Sequence, residues 1–576
     1  MKVNRLFLIT LAMACSLPLL AQHNEEVTIE GTYRPKVNKV DKILLEAETP
    51  QPSYAMPSSE VRVLEIEHRF PLQLEKLSAL NYNGKDMLTA MTTKNFLMAG
   101  IGTHLSPVFL YKHNSMISKT LGIGVGVKHF SSWLGIKDYA PSGFMNNAFE
   151  VGLSSSKFNN LQLNANVYYK NDIYHYYGVN TTQWTGGETL LGQVTPRQTY
   201  NTIGTNLSLA STSTRSRELL HRALFDYHYL FTAFRADEHV AELEYGLSYV
   251  NNWWGSKTHP QKVGADVDFL FNAFQPASLF TGTELLPLGQ RQVWFELNPY
   301  IEMKDDYYRL HLGFRTDVVG SLVNCSRLSV RPDLQGSLFV MDKKVEFYAG
   351  LNGGRRPYTF TELVEENPFL LGYLDLGIKN VKLGFDGGVR TNVMNTLDLH
   401  IGVRYRHTGN DLFYEQLDMP SPSEGFPYNS FGVVYDETRT VSVLTNVRWL
   451  ALDKLTVDAG FTYNNCSPSE QAHAWYRPTT EGILKVDYQF DDALSMNASF
   501  LYQGGLWART GRTSGLTPVD VKLPNVFDFG IGADYKVKDE LTVFAKVENL
   551  LHQKYQRFLD YPVTGIEFFA GVKMRF

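Results

Sequence analysis

The sequence predicts an all-β fold: a closed antiparallel transmembrane β-barrel of about 22 strands, with short periplasmic turns and long external loops. Three observations carry that reading. Apolar and polar residues alternate over segments of nine to thirteen residues along most of the chain. A leader opens the sequence, and no other long apolar run follows it. The connections between the alternating segments are short and long in turn.

The last residues show the alternation. In "IEFFAGVKMRF", Ile566, Phe568, Ala570, Val572, Met574 and Phe576 fall on one side of an extended chain; Glu567, Phe569, Gly571, Lys573 and Arg575 fall on the other. "FDFGIGADYKV" (527–537), "LTVFAKVEN" (541–549), "LDLHIGVRYR" (397–406) and "LTVDAGFTY" (455–463) repeat the pattern. Period-two alternation specifies strands with two unlike faces. A soluble sandwich accounts for one such strand, but its strand lengths are those of small domains. Nine to eleven tilted residues cross a bilayer. The charges and glycines of the polar face suit a wet interior, and an open edge in lipid would leave backbone groups unpaired. The terminal strand, with Ile566, Phe568, Val572 and Phe576 on its apolar face, is expected to close the barrel against a first strand near Asn95. Phe576 then sits at the periplasmic end.

The leader "MKVNRLFLITLAMACSLPLLAQ" has a basic start, an apolar centre and a small residue at Ala21. It reads as a secretory signal over residues 1–21. Its apolar run is too short for a spanning helix. Cys15 raises lipid attachment, but Ala12 stands where such signals favour Leu and apolar residues continue past the cysteine. Residues 22–92, with Pro35, Pro52, Pro57 and Pro71, form a charged, broken segment expected in the periplasm or entering the lumen; residues 93–576 form the barrel. The expected location is the outer membrane, with its lipid as solvent.

Connection length is an independent check. Read from the C-terminus, "HQKYQRFLDYPVTG" is long and "KVKDE" short; "LWARTGRTSGLTPVDVKLPN" is long and "FDDA" short; "CSPSEQAHAWYRPTT" is long and "ALDK" short. His407–Thr438 and the stretch from Gly354 to Gly377 are expected to be long external loops. The region 214–260 is the hardest to divide.

The net charge of -5, from 54 basic and 59 acidic residues, gives no reason to expect a nucleic-acid partner. After the leader only Cys325 and Cys466 remain, which excludes a disulfide scaffold; both are expected to be unpaired loop residues. No G-x-S-x-G, H-E-x-x-H or P-loop occurs, so no enzyme, metal or cofactor is expected. "GIGVG" (122–126) lies in a strand with no helix after it, so its glycines belong to a lumen face. Glu365 and Glu366 are adjacent acids in a long loop, where solvation is the ordinary fate.

Aromatic clusters stand at strand ends. "YHYYGVNTTQW" places Tyr174, Tyr176, Tyr177 and Trp184 at or beyond an external end, and Trp253, Trp254, Trp475 and Tyr476 are read alike. Such residues gather at membrane interfaces whatever the function. The alternative is contact with a ligand or partner. Arg355 and Arg356 in "GGRRPY" are placed at the mouth, as anion attractors or as solvated side chains.

Several stretches resemble TonB-dependent receptor barrels. "ELTVFAKVENLLHQKYQ" with "GIEFFAGVKMRF" resembles that family's closing hairpin. "RPDLQGSLFVMDKKVEFYAGLNGGRRPYTFTELVEENPFL" resembles the middle of its barrel. "NFLMAGIGTHLSPVFLYKHNSMISKTLGIGVGVKHFSSW" resembles the opening strands of plug-poor members in Bacteroidota. The resemblance implies insertion by the barrel assembly machinery, which reads a terminal aromatic such as Phe576. It implies a TonB-contact strand at Glu26, Val27, Thr28, Ile29 and Glu30 in "EEVTIEGTYRP", which would pair by strand addition. The departure is the plug, since residues 22–92 are too short for the family's folded one. Two functions follow as expectations: solute uptake or passage, with or without TonB; or a non-transporting scaffold in an assembly, secretion or surface-lipoprotein complex. A bare barrel of this width would leak, and residues 22–92 are the expected stopper.

Overall fold

The computed structural model describes residues 94–576 apart from 158–159, 213–217, 254–259, 278–288, 321–327, 394–395, 418–426, 428 and 512–517. The expected signal peptide, the segment 22–92 with Glu26, Val27, Thr28, Ile29 and Glu30, and Cys15, Trp254 and Cys325 lie outside the described residues.

The chain forms a closed antiparallel barrel of 22 strands. The first strand, Asn95–Gly102, pairs with the last, Glu567–Arg575, from Phe96↔Arg575 to Gly102↔Phe569. Asn95 N donates to the Phe576 carbonyl (2.8 Å) and Phe576 N to the Asn95 carbonyl (3.1 Å), so the two ends of the wall are tied at one rim. Each strand pairs with the next, with two insertions skipped. Leu494–Gly504 pairs with Val526–Lys538 across the hairpin Trp507–Thr510/Val519–Lys522. Leu541–Glu548 pairs with Glu567–Arg575 across a smaller hairpin, Gln556–Phe558/Tyr561–Pro562. Closure leaves no unpaired edge in the wall among the described residues, as lipid requires.

The alternation decides which way each side chain points. Ile531, Val543, Phe568 and Phe576 are exposed on the outer wall, with Leu153, Ile203, Phe314 and Val403. Apolar area left in water costs about 25 cal/mol per Å², so this surface is stable against hydrocarbon. Inward neighbours include polar residues, glycines and buried apolar side chains such as Met98, Leu110 and Phe544. A Cβ at Gly571 would sit 2.3 Å from the Ala99 carbonyl and 2.6 Å from the Phe544 ring. Only a glycine lets that ring lie against the closing seam.

Several sequence expectations are revised. The region 214–260 contains two strands, Leu219–Thr232 and Asp237–Asn251. The outer turn between them is tight: Arg235 has φ 62 and Ala236 N donates to Thr232 Oγ1 at 3.1 Å. Trp253 follows Asn251 at the short-turn rim, so it is not an outer aromatic. His407–Thr438 is mostly strand, because Leu397–Gln416 (20 residues) and Phe431–Leu452 (22 residues) stay paired well past the length a bilayer needs. Cys466 is a free cysteine within strand Leu455–Pro468, opposite Thr440, and not in a loop.

Candidate functional site: the outer mouth

The connection 358–377 folds into the outer mouth of the barrel. It carries the helix Phe360–Glu366, whose start is written locally as Thr-Phe-Thr-Glu. Thr359 Oγ1 accepts from Glu362 N (3.2 Å) and Glu362 Oε2 accepts from Thr359 N (3.4 Å), a capping box. Glu238, fully buried at the top of its strand, completes the cap. Its carboxylate accepts from Phe360 N (2.7 Å), Thr361 N (2.7 Å) and Thr361 Oγ1 (2.8 Å). A carboxylate at the N-terminus of a helix satisfies amides that the helix itself cannot.

Beyond the helix the chain is apolar, "PFLLGYLDL". Phe369, Leu370, Leu374 and Leu376 join Phe360, Leu363 and Val364 in one buried core with Tyr176, Tyr200, Phe431, Phe558 and Tyr561. Phe369 is the meeting point. It stacks on Tyr561 (centroids 3.7 Å) and takes edges from Tyr177 (5.8 Å) and Phe558 (6.2 Å). Backbone groups of the connection are also taken up. Tyr176 donates to the Leu370 carbonyl (3.2 Å), Tyr200 to the Pro368 carbonyl (2.9 Å), Gln292 to the Leu376 carbonyl (2.7 Å), and Leu371 N to the Phe431 carbonyl (2.9 Å). The connection 358–377 and the last outer loop, which supplies Phe558 and Tyr561, therefore form one lid with a buried apolar core.

The outer aromatics and arginines singled out in the sequence have partners within the described residues. Tyr176 is buried in the lid core; Tyr177 donates to the Pro562 carbonyl (2.8 Å); Tyr174 receives the Asn146 amide (2.9 Å) and lies by Tyr200 and Phe369. Trp184 stays at the surface and donates to the Gly187 carbonyl (3.1 Å). Arg355 pairs with buried Asp317 (2.5 Å), and Arg356 with Glu362 (2.7 Å) and Glu242 (3.3 Å). Glu365 and Glu366 are likewise engaged: Lys170 Nζ lies 3.0 Å from Glu365, and Tyr414 donates to Glu366 (2.9 Å). Trp475 is buried and donates to Asp520 (3.0 Å). Ile566, Phe568 and Phe576 are exposed on the outer wall, and Val572 pairs with Ala99 across the closing seam. No group of three or more metal-ligating side chains occurs among the described residues.

Sequence reasoning missed two features. The first is the lid; the Thr-x-x-Glu of the capping box, ahead of an apolar run, was the local signal for its helix. The second is a row of acids on the inner wall. Glu244, Asp268, Glu296 and Asp317 stand directly opposite one another across four neighbouring strands. Arg315 lies 3.9 Å from Glu296, and Arg355 holds Asp317. Pairing register is a tertiary property, so this row is invisible along the chain.

No family model matches the chain, and no curated protein matches it. Solved structures do. The ferric-catecholate import receptor Fiu of Escherichia coli K12 aligns with TM-score 0.61 and 12% identity over 84% of this chain and 82% of that one. The siderophore receptor PirA of Acinetobacter baumannii gives 0.62 and 12% over 84% and 80%. The pyoverdine outer-membrane receptor FpvA of Pseudomonas aeruginosa gives 0.63 and 12% over 84% and 78%. At this identity the likeness is one of fold, and the fold this chain shares is that of outer-membrane receptor barrels.

Proposed function

We propose that this protein is an outer-membrane β-barrel of the TonB-dependent receptor type that takes up or passes a solute through a barrel held shut at its outer mouth. The observation that carries the reading is the lid: a 22-strand wall, apolar outside and charged within, has its own connection 358–377 packed into the mouth. The similarity in fold to outer-membrane receptors supports the location and the uptake role. In the same reading, residues 1–21 are a removed signal and residues 22–92 a periplasmic or lumen-entering segment. Glu26–Glu30 is then the strand offered to TonB.

Conductance across planar bilayers tests this. The full chain should conduct weakly, and a chain with 359–376 replaced by a short Gly/Ser linker should open a large pore. A linker variant that also lacks residues 22–92 and is still as tight as the parent sinks the conduit.

A second reading is a sealed scaffold for a surface-lipoprotein, secretion or assembly complex. The density of the lid's anchors favours it, since a lid with a buried aromatic core is costly to move. Affinity purification from native membranes separates the two. Recovery of TonB supports uptake; stoichiometric lipoprotein subunits without TonB support the scaffold.

A further inference from the structure

A cavity of about 210 Å³ lies between the inner wall and the last outer loop. Strands Thr480–Gln489, Leu494–Gly504, Val526–Lys538 and Leu541–Glu548 build its wall, and Tyr555 and Thr564 of the loop line it too. Sites for drug-sized ligands begin at about 300 Å³, so this one takes something smaller. Its lining is charged. Lys485 and Asp487 offset each other on one strand. Further round, Asp528, Glu548 and Glu567 stand on three neighbouring strands against Lys546 alone, an excess of two negative charges among the described residues.

These acids are largely out of water: Glu567 is 1% exposed, Asp528 8% and Glu548 9%. Glu548 and Glu567 also stand directly opposite each other across the last strand pair. Like charges set opposite destabilise a sheet, and a buried charge is costly unless paired. Lys546 pairs with Glu548, and Tyr555 donates to Asp528 Oδ2 at 2.9 Å. Glu567 is less well served. His104 Nδ1, in an outer turn, stands 2.9 Å from Oε1, but burial holds this imidazole toward its neutral form. Glu567 Oε2 has no hydrogen-bond partner among the described residues. A buried carboxylate oxygen left open beside a cavity with excess negative charge calls for a cation.

We propose that this cavity binds a small organic cation, with an ammonium group donating to Glu567. A metal ion fits less well, because no three ligating side chains converge among the described residues. The excess of two negative charges favours a short aliphatic diamine, whose ammonium groups need not share one point. This binding does not depend on the barrel being a conduit.

The test is titration calorimetry of the full chain in detergent at low salt with 1,4-diaminobutane. Mildly alkaline buffer keeps an ordinary carboxyl ionised. The diamine should bind saturably, one per chain, and 1,4-butanediol, of the same length without charge, should not bind. Glu567→Gln keeps the shape and removes the charge; it should weaken binding roughly tenfold or more, as for losing a charged hydrogen bond. Glu548→Gln, which leaves Lys546 without its acid, is the second variant and should weaken it likewise. Asp268→Asn removes the same charge elsewhere on the inner wall and should leave the affinity unchanged. Absence of binding to the parent overturns the site, as does parent affinity in both glutamine variants. Equal weakening by Asp268→Asn overturns it too, since a general field in the lumen would then suffice. Displacement of the diamine by MgCl2 beyond that by NaCl of equal ionic strength overturns the organic cation in favour of a metal ion.

Discussion

At the scale of single residues, the mouth depends on a few side chains that join distant segments. Phe369 touches rings from residues 177, 558 and 561. Phe369→Ala should cost about 3–5 kcal/mol of local lid stability, the usual range for emptying an aromatic site. The check is protease cutting within 358–377 on intact cells. Cutting as slow as in the parent would show that the ring is dispensable. At the opposite rim, Asp491 accepts from Leu494 N (2.7 Å) and Ala493 N (2.8 Å) in a short turn. These two amides hold its carboxyl below the usual carboxylate range. A depressed carboxyl stabilises its turn above the unfolded value near 4. That contribution is lost as pH falls through the lowered folded value. Amide exchange protection at Ala493 and Leu494 should therefore fall with acid, and Asp491→Asn should show a weaker pH dependence. Apart from the capping box of Thr359 and Glu362, the lid contacts were not legible in the sequence. Tyr176 and Trp475 carry the same local pattern whether a ring anchors in an interface or in a core.

At the scale of elements, the two-faced strands were legible throughout. "FDFGIGADYKV" and "LTVFAKVEN" fall in strands Val526–Lys538 and Leu541–Glu548, with the expected faces outward. The ends were harder. His407–Thr438 read as loop because its polar residues resemble solvent-facing loop sequence, yet the two strands stay paired out to Gln416↔Phe431. They rise beyond the hydrocarbon and deliver Leu412, Tyr414 and Phe431 to the lid. The register also sets Asp268 between Glu244 and Glu296. Like charges directly opposite destabilise a sheet, so Asp268→Asn should stabilise the barrel by roughly 0.2–1 kcal/mol. A higher unfolding midpoint in urea is the expected result. A lower one would mean that a cation or water network already offsets the repulsion.

At the scale of the whole molecule, closure acts in two places. The wall closes by pairing its first strand with its last, and the mouth closes by folding a connection inward. These are separable, so removing 359–376 should raise conductance while leaving a heat-resistant folded barrel on gels. Loss of the folded band would show that the lid also holds the wall.

The sequence by itself determined the barrel. A strand with one apolar and one polar face is stable only between hydrocarbon and water, and many such strands with no helical span have one way to satisfy their backbones. Tertiary structure decided what fills the mouth. Tyr176, Phe369, Phe431 and Tyr561 are separated by tens to hundreds of residues, and no local period records that they meet. Local sequence fixes which face is apolar, but packing between distant segments fixes what that face covers.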